Sequence, residues 1–321
     1  MTTALITGAS GQTGSYLCEL LLSKGYTVYG IVRRNSNFQY EAPRLAHIKD
    51  PNFKLIYGDL VDNPSMVAAI EQSMPDEIYN LGSQSDVRIS FDIPTYTSLV
   101  NAMGAINFFE NARHICPAVK IYQASTSELF GNSIDDDGFQ RETTPMIPVS
   151  PYGASKLFAY NQAKIYRQSY GMYITNGILF NHESPRRGDN FVTNKVVDYA
   201  TRISRGENVK LPLGNLAAER DWGHAKDYSN AIYEMLQLNS PDDFVVATGV
   251  AYNVEHLVKY VFEKLNLIWQ DHVVIDDNLY RPLDINRLCG DNTKLTKAIN
   301  WKHSYTFETL IDEMLEERIV C

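Results

Sequence analysis

No stretch of this 321-residue chain approaches the ~20 consecutive apolar residues that a membrane-spanning helix needs. Its apolar share, 44%, is that of an ordinary globular protein. Cysteine is scarce: Cys18, Cys116, Cys289 and Cys321 are scattered and none forms a CxxC pair. A disulfide scaffold and a cysteine-rich zinc site are therefore not expected. The seven histidines lack metal-ligand spacing as well, which argues against metal catalysis. Positive charge is in deficit, with 29 Lys and Arg against 38 Asp and Glu, a formal net charge of −9. Neutralising nucleic-acid phosphates needs the opposite balance, although a local basic cluster could hold one small anion. The opening Met1-Thr2-Thr3-Ala4-Leu5-Ile6 has no basic leader and runs straight into a strand-like stretch. These absences lead us to expect a reduced, cytoplasmic protein with neither a nucleic acid nor a membrane as partner.

What is there is alternation. Ala4–Thr7, Thr27–Val32, Phe53–Tyr57, Glu77–Leu81, Lys120–Ala124 and Tyr173–Phe180 read as short strands, with a first helix from about Gln12 to Lys24. Strands separated by helical patterns imply βαβ units, so the fold class expected is α/β with a doubly wound parallel sheet. After Asn181 the alternation weakens into turn-rich segments. The length suits a large domain, residues 1–180, plus a smaller lobe, residues 181–321, with segments near 221–250 returning to the sheet.

The first strand runs into Thr7-Gly8-Ala9-Ser10-Gly11-Gln12-Thr13-Gly14. Glycines here let backbone approach a pyrophosphate and let the helix pack on the sheet, while the helix N-terminus offers free N–H groups. Gly8, Gly11, Gln12, Thr13 and Gly14 are thus candidate dinucleotide contacts. The second strand ends Val32-Arg33-Arg34-Asn35-Ser36, where a site for NAD would want a carboxylate. Two arginines suit a 2′-phosphate instead, so NADP is the expected cofactor, with Asn35 and Ser36 beside it. Asp59 and Leu60, closing the third strand, are candidate adenine contacts.

Tyr152 and Lys156 stand four residues apart on one helix face, with Ser150 as N-cap and Pro151 as first helical residue. A phenol that ionises near neutrality must fall roughly 3 units from about 10, and a nearby ammonium acts in that direction. With 20 tyrosines in the chain, chance supplies such pairs, and Tyr160 with Lys164 is another. We read that second pair as exposed. Ser125-Thr126-Ser127-Glu128, at the carboxyl end of a strand, favours the first. Glu128 is informative because plain alcohol oxidation needs hydroxyls but no extra carboxylate. Elimination needs a base: once C4 of a hexose is a ketone, the C5 proton is acidified and a carboxylate can take it.

At these residues the chain resembles the GDP-mannose 4,6-dehydratases, a family of extended short-chain dehydrogenases with the Rossmann fold. The likeness runs through Gly11-Gln12 and Gly14-Ser15-Tyr16-Leu17, Gly30–Arg34, Tyr122–Leu129, Ser150–Gly153, Asn176–Gly188 and Leu213–Tyr228. It implies a hydro-lyase that keeps its NADP. Tyr152, Thr126 and Lys156 would serve oxidation at C4, and Glu128 would serve the loss of water. It implies further that Leu81, Ser83, Ser85, Tyr96, His182 and Arg187 touch NADP. A GDP-linked sugar would meet Ser83, Asp86, Ser127, Asn181, Val192, Lys195, Arg220, Arg281 and Asp284. A homotetramer or homodimer is implied too, through the Arg33–Phe38 loop. The chain departs from the family in Thr13, where Asp is usual, in Ser83 and Asp86, where Ala and His are usual, and in Asp284, where Glu is usual. Asp86 places an anion where the sugar would lie, so a GDP-manno-heptose is the rival substrate. A 4-keto-sugar reductase, which would have no use for Glu128, is the remaining alternative.

Overall fold

The computed structural model describes residues 1–34, 42–280 and 282–320. Asn35, Ser36 and Arg281 therefore lie outside the described residues. The alternation becomes β1 (Thr3–Thr7), α1 (Gln12–Ser23), β2 (Thr27–Val32), β3 (Phe53–Tyr57), α2 (Asn63–Ser73) and β4 (Glu77–Asn80). Short helices α3 (Val87–Asp92) and α4 (Pro94–Ser98) lead through a π-helical turn at Leu99–Met103 into α5 (Gly104–Ile115). Then follow β5 (Lys120–Thr126), α6 (Pro151–Tyr170) and β6 (Tyr173–Leu179).

Among the described residues these strands and one later arrival form a sheet seven strands wide, every pair parallel. Helices cover both faces, so β4, β5 and β6 are almost wholly buried and show no in–out alternation. From β1 the chain winds outward through β2 to β3, then returns to lay β4 on the other side of β1. That reversal opens a crevice beyond the carboxyl ends of β1 and β4.

Beyond β6 come β7 (Asn181–Glu183), α7 (Val192–Ser204), β8 (Leu211–Leu213) and β9 (Glu219–His224). Next are α8 (Ala225–Leu236), β10 (Asp243–Val246), β11 (Ala251–Asn253), α9 (Val254–Lys264), β12 (Val273–Ile275) and β13 (Arg287–Leu288). The chain ends with α10 (Thr293–Ile299) and α11 (Phe307–Val320). β9 pairs with β7, β11 and β13, and β8 pairs with β12. An apolar cluster including Val197, Leu211, Trp222, Leu257, Phe262 and Leu310 joins α7, α9 and α11 beneath these strands.

The expected return to the main sheet near 221–250 holds only for β10, which lies outside β6. Glu219–His224 goes to the smaller sheet, and α8 packs on α1 and β5. The segment 221–238 reads as one stretch in sequence, but its strand and its helix serve different layers. No helix among the described residues is long and apolar enough to cross a membrane.

Candidate active site

Gly8 sits at φ +67°, a left-handed conformation that side chains resist, and a Cβ there would lie 2.9 Å from the Gly82 nitrogen. A Cβ on Gly14 would lie 2.2 Å from the Gly8 carbonyl oxygen. The loop is therefore folded onto itself and onto the segment after β4, leaving backbone at the crevice. No side chain caps the start of α1 at Gly11, and its first turn holds no acidic residue. Its N–H groups and positive dipole are thus available to an anion, as a dinucleotide diphosphate requires.

A cleft of about 840 Å³ runs from this loop across the carboxyl ends of the strands to the smaller sheet. Arg33, Asp59, Leu60, Leu81, Ser83, Ser85 and Tyr96 line it as well. The Arg33 guanidinium donates to the Tyr96 hydroxyl at 2.7 Å. Arg34 lies over the Tyr57 ring at 6.0 Å. Asp59 accepts from the Val61 amide at 3.2 Å, a local turn bond within reach of the cleft. Gln12 and Thr13 also line the cleft, but their side chains turn elsewhere. Gln12 Nε2 donates to the His182 carbonyl at 2.8 Å, and Thr13 Oγ1 meets His182 Nε2 at 2.8 Å. Because His182 Nδ1 faces the Phe180 carbonyl at 2.9 Å, it must donate there. Nε2 of the neutral ring is then the acceptor for Thr13. Burial, helped by the charge of Arg187, pushes His182 down to about 4 and keeps it neutral.

Mid-cleft, α6 starts as its sequence demands. The Ser150 hydroxyl caps it, accepting from the Gly153 amide at 3.0 Å, and Pro151 opens the first turn. Tyr152 and Lys156 follow, both buried, one turn apart on the face turned to the end of β5. Thr126 and Glu128 lie there, in a short 3₁₀ turn where the Glu128 amide donates to Thr126 Oγ1 at 3.3 Å. The Glu128 carbonyl packs so closely on Gly153 that a Cβ would sit 2.8 Å away. Burial pushes the Tyr152 phenol up to about 12; the hydrogen bond with Thr126 opposes this, Glu128 adds to it, and Arg187 opposes it. Lys156 donates to the Ala124 carbonyl at 3.1 Å and stands 6.0 Å from the Tyr152 ring centre. Burial lowers its pKa to about 8.

The second Tyr/Lys pair is not the exposed one that spacing suggested. Tyr160 is 3% exposed, and its hydroxyl donates to Asp243, the first residue of β10, at 3.2 Å. Residues eight apart on a helix share a face, so the spacing alone could not tell that Tyr152 meets the cleft while Tyr160 meets Asp243.

At the other end of the cleft stand Ser127, Asn181, Val192, Lys195, Arg220 and Asp284. Lys195 donates to the Pro212 carbonyl at 2.6 Å, and burial lowers its pKa. Arg220 donates to the Glu219 and Ile285 carbonyls and lies 3.7 Å from Asp284. Arg187 pairs with the buried Glu183 at 2.9 Å and stacks on Phe191 at 3.5 Å. Asp86 is already engaged. One carboxylate oxygen caps α3, accepting from the Ile89 amide at 3.0 Å, and the other accepts from Asn190 across the cleft. Sequence reasoning missed Asn101, buried in the π-helical turn, which accepts from Ser83 Oγ at 2.9 Å and from the Gln84 amide at 3.0 Å. Its partners are 17 and 18 residues away, beyond any local spacing rule. Asn190, Phe191 and Asn215 also line the cleft and were not singled out.

A family described as GDP-mannose 4,6 dehydratase matches residues 5–314. A GDP-mannose 4,6 dehydratase of Arabidopsis thaliana is 47% identical over 98% of this chain and 89% of its own length. The Homo sapiens enzyme of that name is 45% identical over 97% of this chain and 90% of its own. A solved structure of DesIV, a dTDP-glucose 4,6-dehydratase from Streptomyces venezuelae with NAD and TYD bound, superposes with a TM-score of 0.86. It is 22% identical and covers 98% of this chain and 96% of that one, a likeness of fold.

Proposed function

The chain belongs to the GDP-mannose 4,6-dehydratase family, and on that premise we propose that it is an NADP-dependent hydro-lyase turning GDP-mannose into GDP-4-keto-6-deoxymannose. The observation that carries this is Glu128, a buried carboxylate in the same turn as Thr126 and against the start of the helix that bears Tyr152. Tyr152 takes the proton of the O4 hydroxyl, steadied by Thr126, while Lys156 holds a positive charge one turn along. Bound in this cleft, NADP⁺ would supply the redox chemistry, a hydride acceptor for C4 and a hydride donor for C6, so that the cycle leaves no net oxidation. Glu128 removes the C5 proton made acidic by the C4 ketone, and the C6 hydroxyl departs as water after protonation. On hydride return, a proton is delivered back to C5.

Residues 1–180 with β10 would hold the cofactor, with Arg33 and Arg34 toward the 2′-phosphate. Residues from 181 onward would hold the nucleotide sugar, with Lys195 and Arg220 toward the diphosphate and Asp284 toward the base. Asp86, occupied by the α3 amide and Asn190, gives no reason to prefer a heptose. A homodimer or homotetramer in the cytoplasm fits this reading. Leu99, Met103, Phe158 and Ile165 expose apolar surface on neighbouring helical segments, which supports self-association.

The test is GDP-mannose incubated with a trace of NADP⁺ and followed by mass spectrometry. Loss of one water without accumulation of NADPH is expected, with turnover lowered ~10²–10⁴-fold in Glu128→Gln. A Glu128→Gln enzyme as active as the parent, or net NADPH formation, would overturn it.

A further inference from the structure

We propose that Gln12 and Thr13 are positioning residues that lock β7 to the phosphate loop, so that cofactor and nucleotide sugar bind cooperatively. This rests on the reading of the cleft given above. Among the described residues β7 has one ladder partner, β9, and only three residues. A strand that short has little stability of its own, and the polar groups on its other edge still need partners. Gln12 meets one of them, the His182 carbonyl, and reaches Ser184 just past the strand. Its side chain is used at both ends, Nε2 donating to the His182 carbonyl at 2.8 Å and Oε1 accepting from Ser184 Oγ at 2.7 Å. Thr13 adds the bond to His182 Nε2, and the His182 ring stacks on buried Tyr228 at 4.8 Å.

The two residues therefore face two ways. Their backbone belongs to the loop and helix start that would wrap the dinucleotide diphosphate. Their side chains fix a strand whose Asn181 lines the sugar end of the cleft and whose ladder partner β9 carries Arg220. Reaching instead for a phosphate, Gln12 would forfeit both of these hydrogen bonds. Ordering the loop around the first ligand fixes the two side chains and with them β7. The second ligand then meets a strand whose ordering cost is already met.

The experiment measures Kd for GDP with and without saturating NADP⁺ in the full-length protein and in variants. We expect NADP⁺ to tighten GDP binding roughly 5-fold or more in the parent. That ratio should collapse toward one in Thr13→Val and in Ser184→Ala, and persist in Thr13→Ser, which keeps the hydroxyl. The imidazole NMR signals of His182 should shift in Thr13→Val and not in Thr13→Ser. A parent ratio of one, or a Thr13→Val protein that loses NADP⁺ affinity while keeping the parent ratio, overturns the coupling. A parent that binds neither NADP⁺ nor GDP overturns the functional reading beneath it, which is a different result from binding both without coupling.

Discussion

Helix α6 carries the same two-residue pattern twice, eight residues apart, and the two copies have opposite fates. Tyr152 and Lys156 open onto the cleft beside Thr126 and Glu128. Tyr160 points to Asp243 at the start of β10, and Lys164, with its side chain 41% exposed, lies 4.0 Å from the same carboxylate. Asp243 is held as well by Arg167 at 2.6 Å and Asn176 at 2.8 Å, so it is the hub of a structural cluster. At Tyr160 burial and the Asp243 charge both raise the phenol's pKa, which holds it protonated. At Tyr152 burial wins as well, lifting the phenol to about 12 rather than lowering it as the nearby ammonium led us to expect, although the Thr126 hydroxyl and the Arg187 guanidinium oppose the rise. What separates the two phenols is therefore access: only Tyr152 opens onto the cleft, where a bound ligand can add its own charge.

The comparison can be broken in three places. The largest effect expected is from Tyr152→Phe, which should cut dehydration ~10²–10⁴-fold while NADP⁺ still binds. Retained turnover there would remove the distinction altogether. Next is Lys156→Met, expected to lower turnover about 10²-fold, at the low end of that range, and yet to stabilise the fold. The buried ammonium has a folded pKa of about 8 against 10.5 for the free side chain. Below pH 8 both states carry the proton and the native state bears the full cost, on the order of 1–3 kcal/mol. Between about pH 8 and 10.5 the native state sheds its proton first, so the parent gains stability and the advantage of Met fades. Denaturant melts at pH 7 and pH 10 check this, and a constant gap between the two proteins would refute it. The smallest effect is from Tyr160→Phe, which removes one bond of a well-supplied carboxylate. It should cost about 0.5–1.5 kcal/mol and leave turnover within about twofold. A large loss of activity there would mean that the second pair had been misjudged.

Much of the site could be read from sequence because its parts are local. The glycine loop, the Ser150 cap, the Tyr152/Lys156 spacing and the Thr126–Glu128 turn are each set within a few residues of chain. β2 and β3 fall where the apolar runs place them, and β1, β4, β5 and β6 within two residues. What escaped the reading is long-range. Tyr160 is tied to a carboxylate 83 residues away, while Tyr152 faces the cleft. The Gln12 side chain serves β7, about 170 residues on, and Asp86 reaches Asn190 over 104 residues. The segment from 221 was expected to return to the main sheet, but its strand joins β7 and β11 instead, because a strand pattern does not say which sheet will receive it.

The position of β10 outside β6 has a consequence during synthesis. Everything from 180 to 242, including β7, β8 and β9, is inserted between two neighbouring strands of one sheet. A nascent chain that has emerged only to residue 180 presents Tyr173–Leu179 as an open, apolar edge, the kind that recruits other chains. That edge closes only when Asp243–Val246 leaves the ribosome, more than sixty residues later. Truncation after β6 should therefore yield an aggregating fragment rather than a freestanding cofactor module. The first strands of the smaller lobe, β7 to β9, have to be made before the larger sheet can be finished.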